Sequence, residues 1–310
     1  MLDLRRLRTF REVAVRRSFS AAADRLDYTQ STVSQQVASL ERELRTTLLD
    51  RSARPIRPTP AGELVLRRAE DLIGSAQAIE DELQALAGGR VGILRVGGFS
   101  TAWGTFMPPA VSAFGQEHPH VGLELDELEP DPAVHAALNG RLDTAVVYFI
   151  GGGGEEVDDR LTRIPLLEDP YVLVLPRSHR LARRATVRLA DLAEERWVSA
   201  PVGDPYSFAL RDLLREEGGF VPRFHEVRDI ALAQPLIAAG LAVAVLPALS
   251  VLQAPPGVLV RALPAARLVR SVLAVRLSRH DSPATDRMVE ELTEAADDVR
   301  RTIAKRFGSA

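Results

Sequence analysis

The chain has 310 residues, 46% of them hydrophobic, and no cysteine. It has room for about two domains of roughly 150 residues each and can bury a sizeable core, but disulfides, thiol catalysis and cysteine-ligated zinc are excluded. The net charge of −3 hides an asymmetry: residues 1–62 hold 12 Arg against seven Asp and Glu, and the remainder holds 27 basic against 35 acidic side chains. A basic first segment on an acidic body implies that only the first segment meets a polyanion. No apolar run reaches 18 residues and "MLDLRRLRTF" is broken by arginine, so neither a membrane span nor a secretory signal is expected, and the expected location is the cytoplasm.

Leu4, Leu7, Phe10 and Ala14 share one helical face, which predicts a first helix of about a dozen residues. Ser18 and Ser20 are candidate caps for a short Ala-rich helix, "AAADRL", and Thr29 is the candidate cap of the next. That third helix has Val33, Val37, Leu40 and Leu44 at core spacing, while its other face offers Gln30, Ser31, Thr32, Ser34, Gln35 and Gln36 with no charge before Glu41. An ordinary solvated face is rich in Glu and Lys. Two short helices joined by a tight turn, the second opening on uncharged donors and acceptors, form a helix-turn-helix. In a major groove amides pair with adenine edges and hydroxyls donate or accept, whereas carboxylates are repelled by phosphates. "RSARPIRPTPAG" then sets Arg51, Arg54 and Arg57 on a Pro-stiffened excursion that reads as a wing touching backbone or minor groove.

The elements "LRTFREVA", "SFSAAADRL", "TQSTVSQQVASLERELRTTLLDR" and "RPTPAG" together resemble the DNA-binding domain of LysR-type transcriptional regulators over some 60 residues. By position, the resemblance makes Gln30, Ser31, Thr32, Ser34 and Gln35 base or backbone contacts, and Arg51, Arg54 and Arg57 phosphate contacts. Arg45 departs from the family's helix-ending Gly, and Leu49 from its usual Phe.

Val65, Ala69, Leu72, Ala76, Ile79, Leu83 and Leu86 alternate spacings of four and three, the seam of a coiled coil. Pro60 opens this helix and Gly88-Gly89 closes it. The resemblance makes it the linker helix of an antiparallel dimer.

From "GILRVGG" onward, strands expected at Ile93–Val96, Val121–Leu125, Thr144–Phe149, Tyr171–Leu175, Val243–Leu246 and Val272–Leu277 alternate with helices such as Trp103–Glu117, Pro132–Asn139 and Ser207–Glu217. The alternation predicts an α/β body with largely parallel sheets. "LRVGGFSTAWGTFMP", "LNGRLDTAVVY", "PLLEDPYVLVLPRSHRLA", "DLAEERWVS" and "IAAGLAVAVLP" resemble, in order, the effector-binding half of the same family, itself similar to a periplasmic binding protein. The resemblance implies two lobes and a cleft, with the chain crossing near Leu166–Asp169 and Leu263–Leu268. Ser100 and Thr101 open one helix, and Pro201–Phe208, including Ser207, opens another. Two facing helix N-termini favour a small carboxylate effector. Asp204 opposes an anion, which leaves the ligand's charge open, and Phe149 joins Phe99 and Trp103 as candidates for an apolar wall.

An enzyme is the competing class. The six His are scattered, with only His118 and His120 close and no third ligand beside them, so no metal site is expected. Neither G-x-G-x-x-G, a phosphate loop with Lys, nor G-x-S-x-G occurs. A free solute-binding protein would fit residues 90–310 but not the basic segment before them. The expected architecture is therefore α/β and multidomain. An all-α winged helix-turn-helix (1–60) and a dimerising linker helix (61–89) precede a two-lobed effector domain (90–310), with lobe I at 90–165 and 268–310 and lobe II at 166–267. The expected partners are a double-stranded DNA operator, a small-molecule effector, further copies of the chain as dimer and tetramer, and RNA polymerase. No cofactor is expected.

Overall fold

The computed structural model describes residues 2–53, 55–86, 92–151, 157–184, 186–263, 268–278 and 282–307. It divides into two compact units, Met1–Ile93 with His135–Asp143, and Leu94–Val134 with Thr144–Ala310.

The first unit opens with α1 (Leu4–Arg16), α2 (Phe19–Leu26) and α3 (Gln30–Leu44). Each helix starts at a short polar cap whose side chain accepts a free backbone N–H: Asp3 from Arg5, Ser18 from Ala21 and Thr29 from Thr32. Each ends in a left-handed residue without glycine, at Arg17, Asp27 and Arg45, with φ of 53°, 53° and 52°. Thus α3 stops where a glycine-capped helix would, with a side chain that finds this backbone costly. Leu7, Phe10, Val13, Ala22, Ala23, Val33, Val37 and Leu40 close the core between the three helices. Strands β1 (Leu49–Asp50) and β2 (Arg57–Pro58) pair antiparallel as the base of a wing.

Helix α4 (Pro60–Leu86) has 27 residues, about 40 Å at 1.5 Å each. The "PTPAG" stretch starts it by three means: the Thr59 hydroxyl accepts from Gly62 N–H at 3.0 Å, Pro60 supplies a preset φ, and Gly62 lies so close to the Leu48 carbonyl that a Cβ would sit 2.0 Å from that oxygen. The heptad seam divides. Ala69 is buried in the unit's own core with Val65 packed beside it, whereas Leu72 and Ile79 are 46% and 58% exposed. The side chains of Leu83 and Leu86, and Gly88-Gly89 altogether, lie outside the described residues.

The second unit runs β3 (Ile93–Gly98), α5 (Ser100–Trp103), α6 (Met107–Glu117), β4 (Gly122–Glu127), α7 (Pro130–Leu138), β5 (Thr144–Ile150), β6 (Leu161–Pro176), β7 (Arg196–Ser199), α8 (Pro205–Leu213), β8 (Arg223–Glu226), α9 (Ala233–Ala238), β9 (Ala244–Pro247), α10 (Ala248–Val251), β10 (Val258–Ala262), β11 (Val269–Leu277) and α11 (Pro283–Phe307). The last residues of α7 cluster with the first unit. Seven strands form one sheet in the order β10-β6-β11-β5-β3-β4, with β9 also on β6, while β7 and β8 pair separately.

The expectation of largely parallel sheets is corrected. β3–β5 and β7–β8 are parallel, but β11 is antiparallel to both β5 and β6, as are β9 and β10 to β6. β10 and β11, joined by residues 263–268, run in the same direction one after the other along β6, β10 against 172–176 and β11 against 161–170, so both are antiparallel to it. β6 is one 16-residue strand whose first part pairs with β11 and whose last part pairs with β9 and β10, so the chain changes neighbours around Asp169–Tyr171 without a break.

Two expected helices also differ. Trp103–Glu117 is split into α5 and α6 by a turn at 104–106, with Pro108 in the first turn of α6 where its missing N–H costs nothing. Ser207–Glu217 is α8 continued by a π turn at Leu214–Gly218. Gly98 has a packing role, since a Cβ there would lie 2.3 Å from Met107 Sδ, and Met107 is fully buried over β3.

Candidate functional site

On the first unit, α3 turns Val33, Val37 and Leu40 into the core, which leaves Gln30, Ser31 and Gln35 exposed and Thr32 and Ser34 half-buried. The Ser31 and Thr32 hydroxyls each lie 2.8 Å from Thr29 Oγ1, so the cap organises the first turn. Gln36 belongs to the packing instead: its Oε1 lies 2.5 Å from the Thr9 hydroxyl of α1. Glu41 ties the wing to α3, accepting from Leu48 N–H at 2.8 Å and from Arg51 at 2.9 Å. The Arg51 guanidinium also lies over the Phe19 ring at 5.4 Å while the side chain stays 46% exposed. Arg57 is exposed on β2, and Arg54 lies outside the described residues.

On the second unit, Arg270 of β11 faces Asp169 of β6 in register. Both are buried, and Arg270 Nε lies 3.0 Å and Nη2 2.5 Å from Asp169 Oδ2. Asp169 also accepts the Leu249 N–H at 3.0 Å, at the start of α10. Burial pushes the Asp169 carboxyl up, with Arg270 and the backbone N–H groups of Leu249 and Ala248 opposing the shift. Burial works most strongly against the Arg270 charge, but Asp169 together with Tyr171 and Tyr148 holds the guanidinium above its ordinary value.

Arg270 Nη2 donates to Thr101 Oγ1 at 3.0 Å, and its guanidinium lies 5.1 Å from the Phe99 ring centre and 4.4 Å from that of Tyr148. Phe99 and Tyr148 meet edge to face at 4.8 Å. Beyond them, Tyr171 stacks on Tyr206 of α8 at 5.4 Å. The Tyr148 hydroxyl donates to Glu129 at 3.2 Å, and its pKa is pushed up to about 12, first by burial and then by the Glu129 charge.

The expected effector residues fall at different depths around this cluster. Thr101 is nearly buried against Arg270, and Ser100 and Pro201 are half-buried. Ser207 is buried, with its Oγ accepting from Arg211 Nε at 3.4 Å, and Phe208 is 54% exposed. Phe149 follows Tyr148 along β5 and so faces the opposite side of the strand; the β5 ring against Arg270 is that of Tyr148. Trp103 donates to the Asp126 carbonyl at 3.0 Å.

A helix N-terminus is expected to supply the anion donors, and at α5 that end is weak. α5 is a single turn whose Ala102 and Trp103 N–H groups both go to the Phe99 carbonyl, so few peptide dipoles add up there. The strong donor beside Thr101 is Arg270. Sequence reading missed Arg270, Asp169, Tyr148, Tyr171 and Tyr206. Only the two charges inside apolar strands, in "LLEDPYVLVLP" and "LVRSVLAV", marked any of them.

Residues 4–63 match the model of the bacterial regulatory helix-turn-helix protein, lysR family, and residues 87–297 match that of the LysR substrate binding domain. The chain belongs to the LysR family. Its relatives include the HTH-type transcriptional regulator ShiR of Corynebacterium glutamicum (strain R), 35% identical over 82% of this chain and 86% of that one. The transcriptional dual regulator GltC of Bacillus subtilis (strain 168) is 31% identical over 79% and 81%. The crystal structure of CbnR, a LysR family transcriptional regulator, has a TM-score of 0.69 at 26% identity over 95% of this chain and 99% of CbnR. The structure of full-length CbnR with its target DNA gives 0.67 at 26% identity, over 95% and 100%. This LysR-type chain is thus a DNA-binding transcriptional regulator with an effector-binding domain, and regulators of its family bind DNA and small-molecule effectors and oligomerise. Among the described residues no helix is long and apolar enough to cross a membrane, and no group of three His, Cys, Asp or Glu could hold a metal.

Proposed function

We propose that this LysR-type chain reads its operator with the first turns of α3. Gln30, Ser31, Thr32, Ser34 and Gln35 meet base edges or nearby backbone, and Arg51, Arg54 and Arg57 meet phosphates. The observation that carries this reading is the uncharged, exposed amide and hydroxyl face of α3, rigidly capped at Thr29 and backed by a closed core. The DNA complex of CbnR supports it by likeness.

The division into a winged helix-turn-helix (1–60), linker helix (61–89) and two-lobed effector domain (90–310) belongs to the same proposal. So does a dimer through α4 that pairs into a tetramer and acts on RNA polymerase in the cytoplasm. A groove of about 440 Å³ on the first unit, lined by Arg5, Arg11, Arg25, Ile73 and Ala76 among others, supports the dimer, since α4 itself carries the acidic run Glu80-Asp81-Glu82. In the second unit a small carboxylate effector binds beside Thr101, where Arg270 supplies the charge that the short α5 lacks.

Gel shifts with the operator test the reading. Gln35→Ala is expected to weaken specific binding by about 1–3 kcal/mol and to relax preference at one base position. Wild-type affinity and specificity in that variant would remove α3 from the groove.

A further inference from the structure

We infer that the effector is a zwitterion, its carboxylate held by Arg270 and Thr101 and its protonated amine by Asp204 and Glu129. The inference rests on the proposal that the cleft beside Thr101 is the effector site, and it adds the ligand's charge pattern.

The carboxylate half follows from donor accounting. A guanidinium has five N–H groups. Arg270 uses Nε on Asp169, and Nη2 on Asp169 and Thr101, which leaves both N–H groups of Nη1 without an acceptor among the described residues. Arg270 is only 4% exposed, but Nη1 is not among the fully enclosed unpartnered atoms, so a ligand can reach it. Thr101 Oγ1 accepts from Arg270, which frees its own hydrogen to donate to the same anion. A carboxylate at this edge accepts a charge-assisted hydrogen bond from Nη1 and another from the Thr101 hydroxyl.

The amine half follows from charge balance. Arg270 and Asp169 neutralise each other. Two further carboxylates then remain. Asp204 caps α8 by accepting the Tyr206 N–H at 2.9 Å, and Glu129 accepts from the Tyr148 hydroxyl at 3.2 Å; neither forms an ion pair among the described residues. Both raise the pKa of the Tyr148 hydroxyl while Arg270 lowers it, so charges of both signs reach the same ring. Tyr171 and Tyr206 stack on each other, and the Asp204 charge acts on both hydroxyls. A bare carboxylate would enter a site of net negative charge. A ligand that also carries an ammonium group offsets the two surplus carboxylates and presents a cation to tyrosine faces.

Calorimetry on the full-length chain tests this with the common α-amino acids as probes, each beside its deaminated acid and its decarboxylated amine. At least one amino acid is expected to bind, with both analogues about tenfold weaker or worse, as loss of a charge-assisted hydrogen bond implies. Asp204→Asn keeps a good helix cap and so preserves the fold. It is expected to weaken the amino acid about tenfold while leaving the deaminated acid within about twofold, a selective loss that a structural role for Asp204 would not produce. Binding by none of the amino acids, or equal binding of acid and amino acid, overturns the zwitterion. Thr101→Val separates the two readings. If it abolishes binding of a deaminated acid that needs no amine, the cleft stands and only the zwitterion falls; if it changes the binding of no probe, the cleft assignment itself falls.

Discussion

Arg270 and Asp169 show how much one buried ion pair organises. Each charge taken from water alone would be costly, and the pair is tolerated because Asp169 also receives backbone N–H groups at the start of α10 and Arg270 lies against two aromatic rings. Removing one partner exposes the full cost of the other. Asp169→Asn is expected to destabilise the second unit by about 3–5 kcal/mol in urea unfolding, whereas exchanging both residues for apolar groups of similar volume should cost much less. Equal losses from the single and double changes would show that geometry rather than charge matters at this position.

At the scale of elements, the ends of helices decide more than their middles. Arg45 holds a left-handed backbone at the end of α3, a conformation that strains any residue with a Cβ. Arg45→Gly is expected to raise unfolding stability by up to about 1 kcal/mol and to leave operator affinity intact, because Arg45 is not among the groove-facing residues. A loss of stability in thermal melts would mean that the Arg45 side chain has a role its backbone conceals.

Helix α4 has one apolar face buried in the first unit and another that is exposed. Ala69 and Ile73 are buried within the first unit, while Leu72 and Ile79 are exposed along the same rod. Leu72→Asp therefore leaves the unit's own core untouched and places an unpaired charge in the proposed dimer seam. Sedimentation is expected to show monomers with operator affinity lost in parallel, and an intact dimer would move the interface to another face.

For the whole molecule, the partition of charge separates the two binding tasks. The basic residues of 1–62 are proposed to face a polyanion, and the acidic remainder carries the buried, internally neutralised pair. Operator affinity is expected to fall steeply with salt, and Arg57→Ala to flatten the slope of log K against log salt by about 0.9, the value of one phosphate contact, at every DNA sequence alike. A loss confined to the cognate sequence would make Arg57 a reader of bases.

Much of this protein follows from local physical chemistry and was legible in its residues. The caps Ser18 and Thr29, the apolar face of α3 and the Pro60 start of α4 all express interactions within one or two turns, which the order of residues alone determines. Uncharged side chains opposite a core face marked the surface proposed to read the groove for the same reason. Other features depend on which strands become neighbours. β11 lies between β5 and β6, so Arg270 meets Asp169 a hundred residues away, and Tyr148 rather than Phe149 turns toward it. No periodicity encodes that pairing, because register is set by the packing of whole strands across a sheet, and a shift of one residue exchanges the two faces. Helix α3 was therefore determined by its own sequence, whereas the cluster around Arg270 was decided only when distant strands came into register.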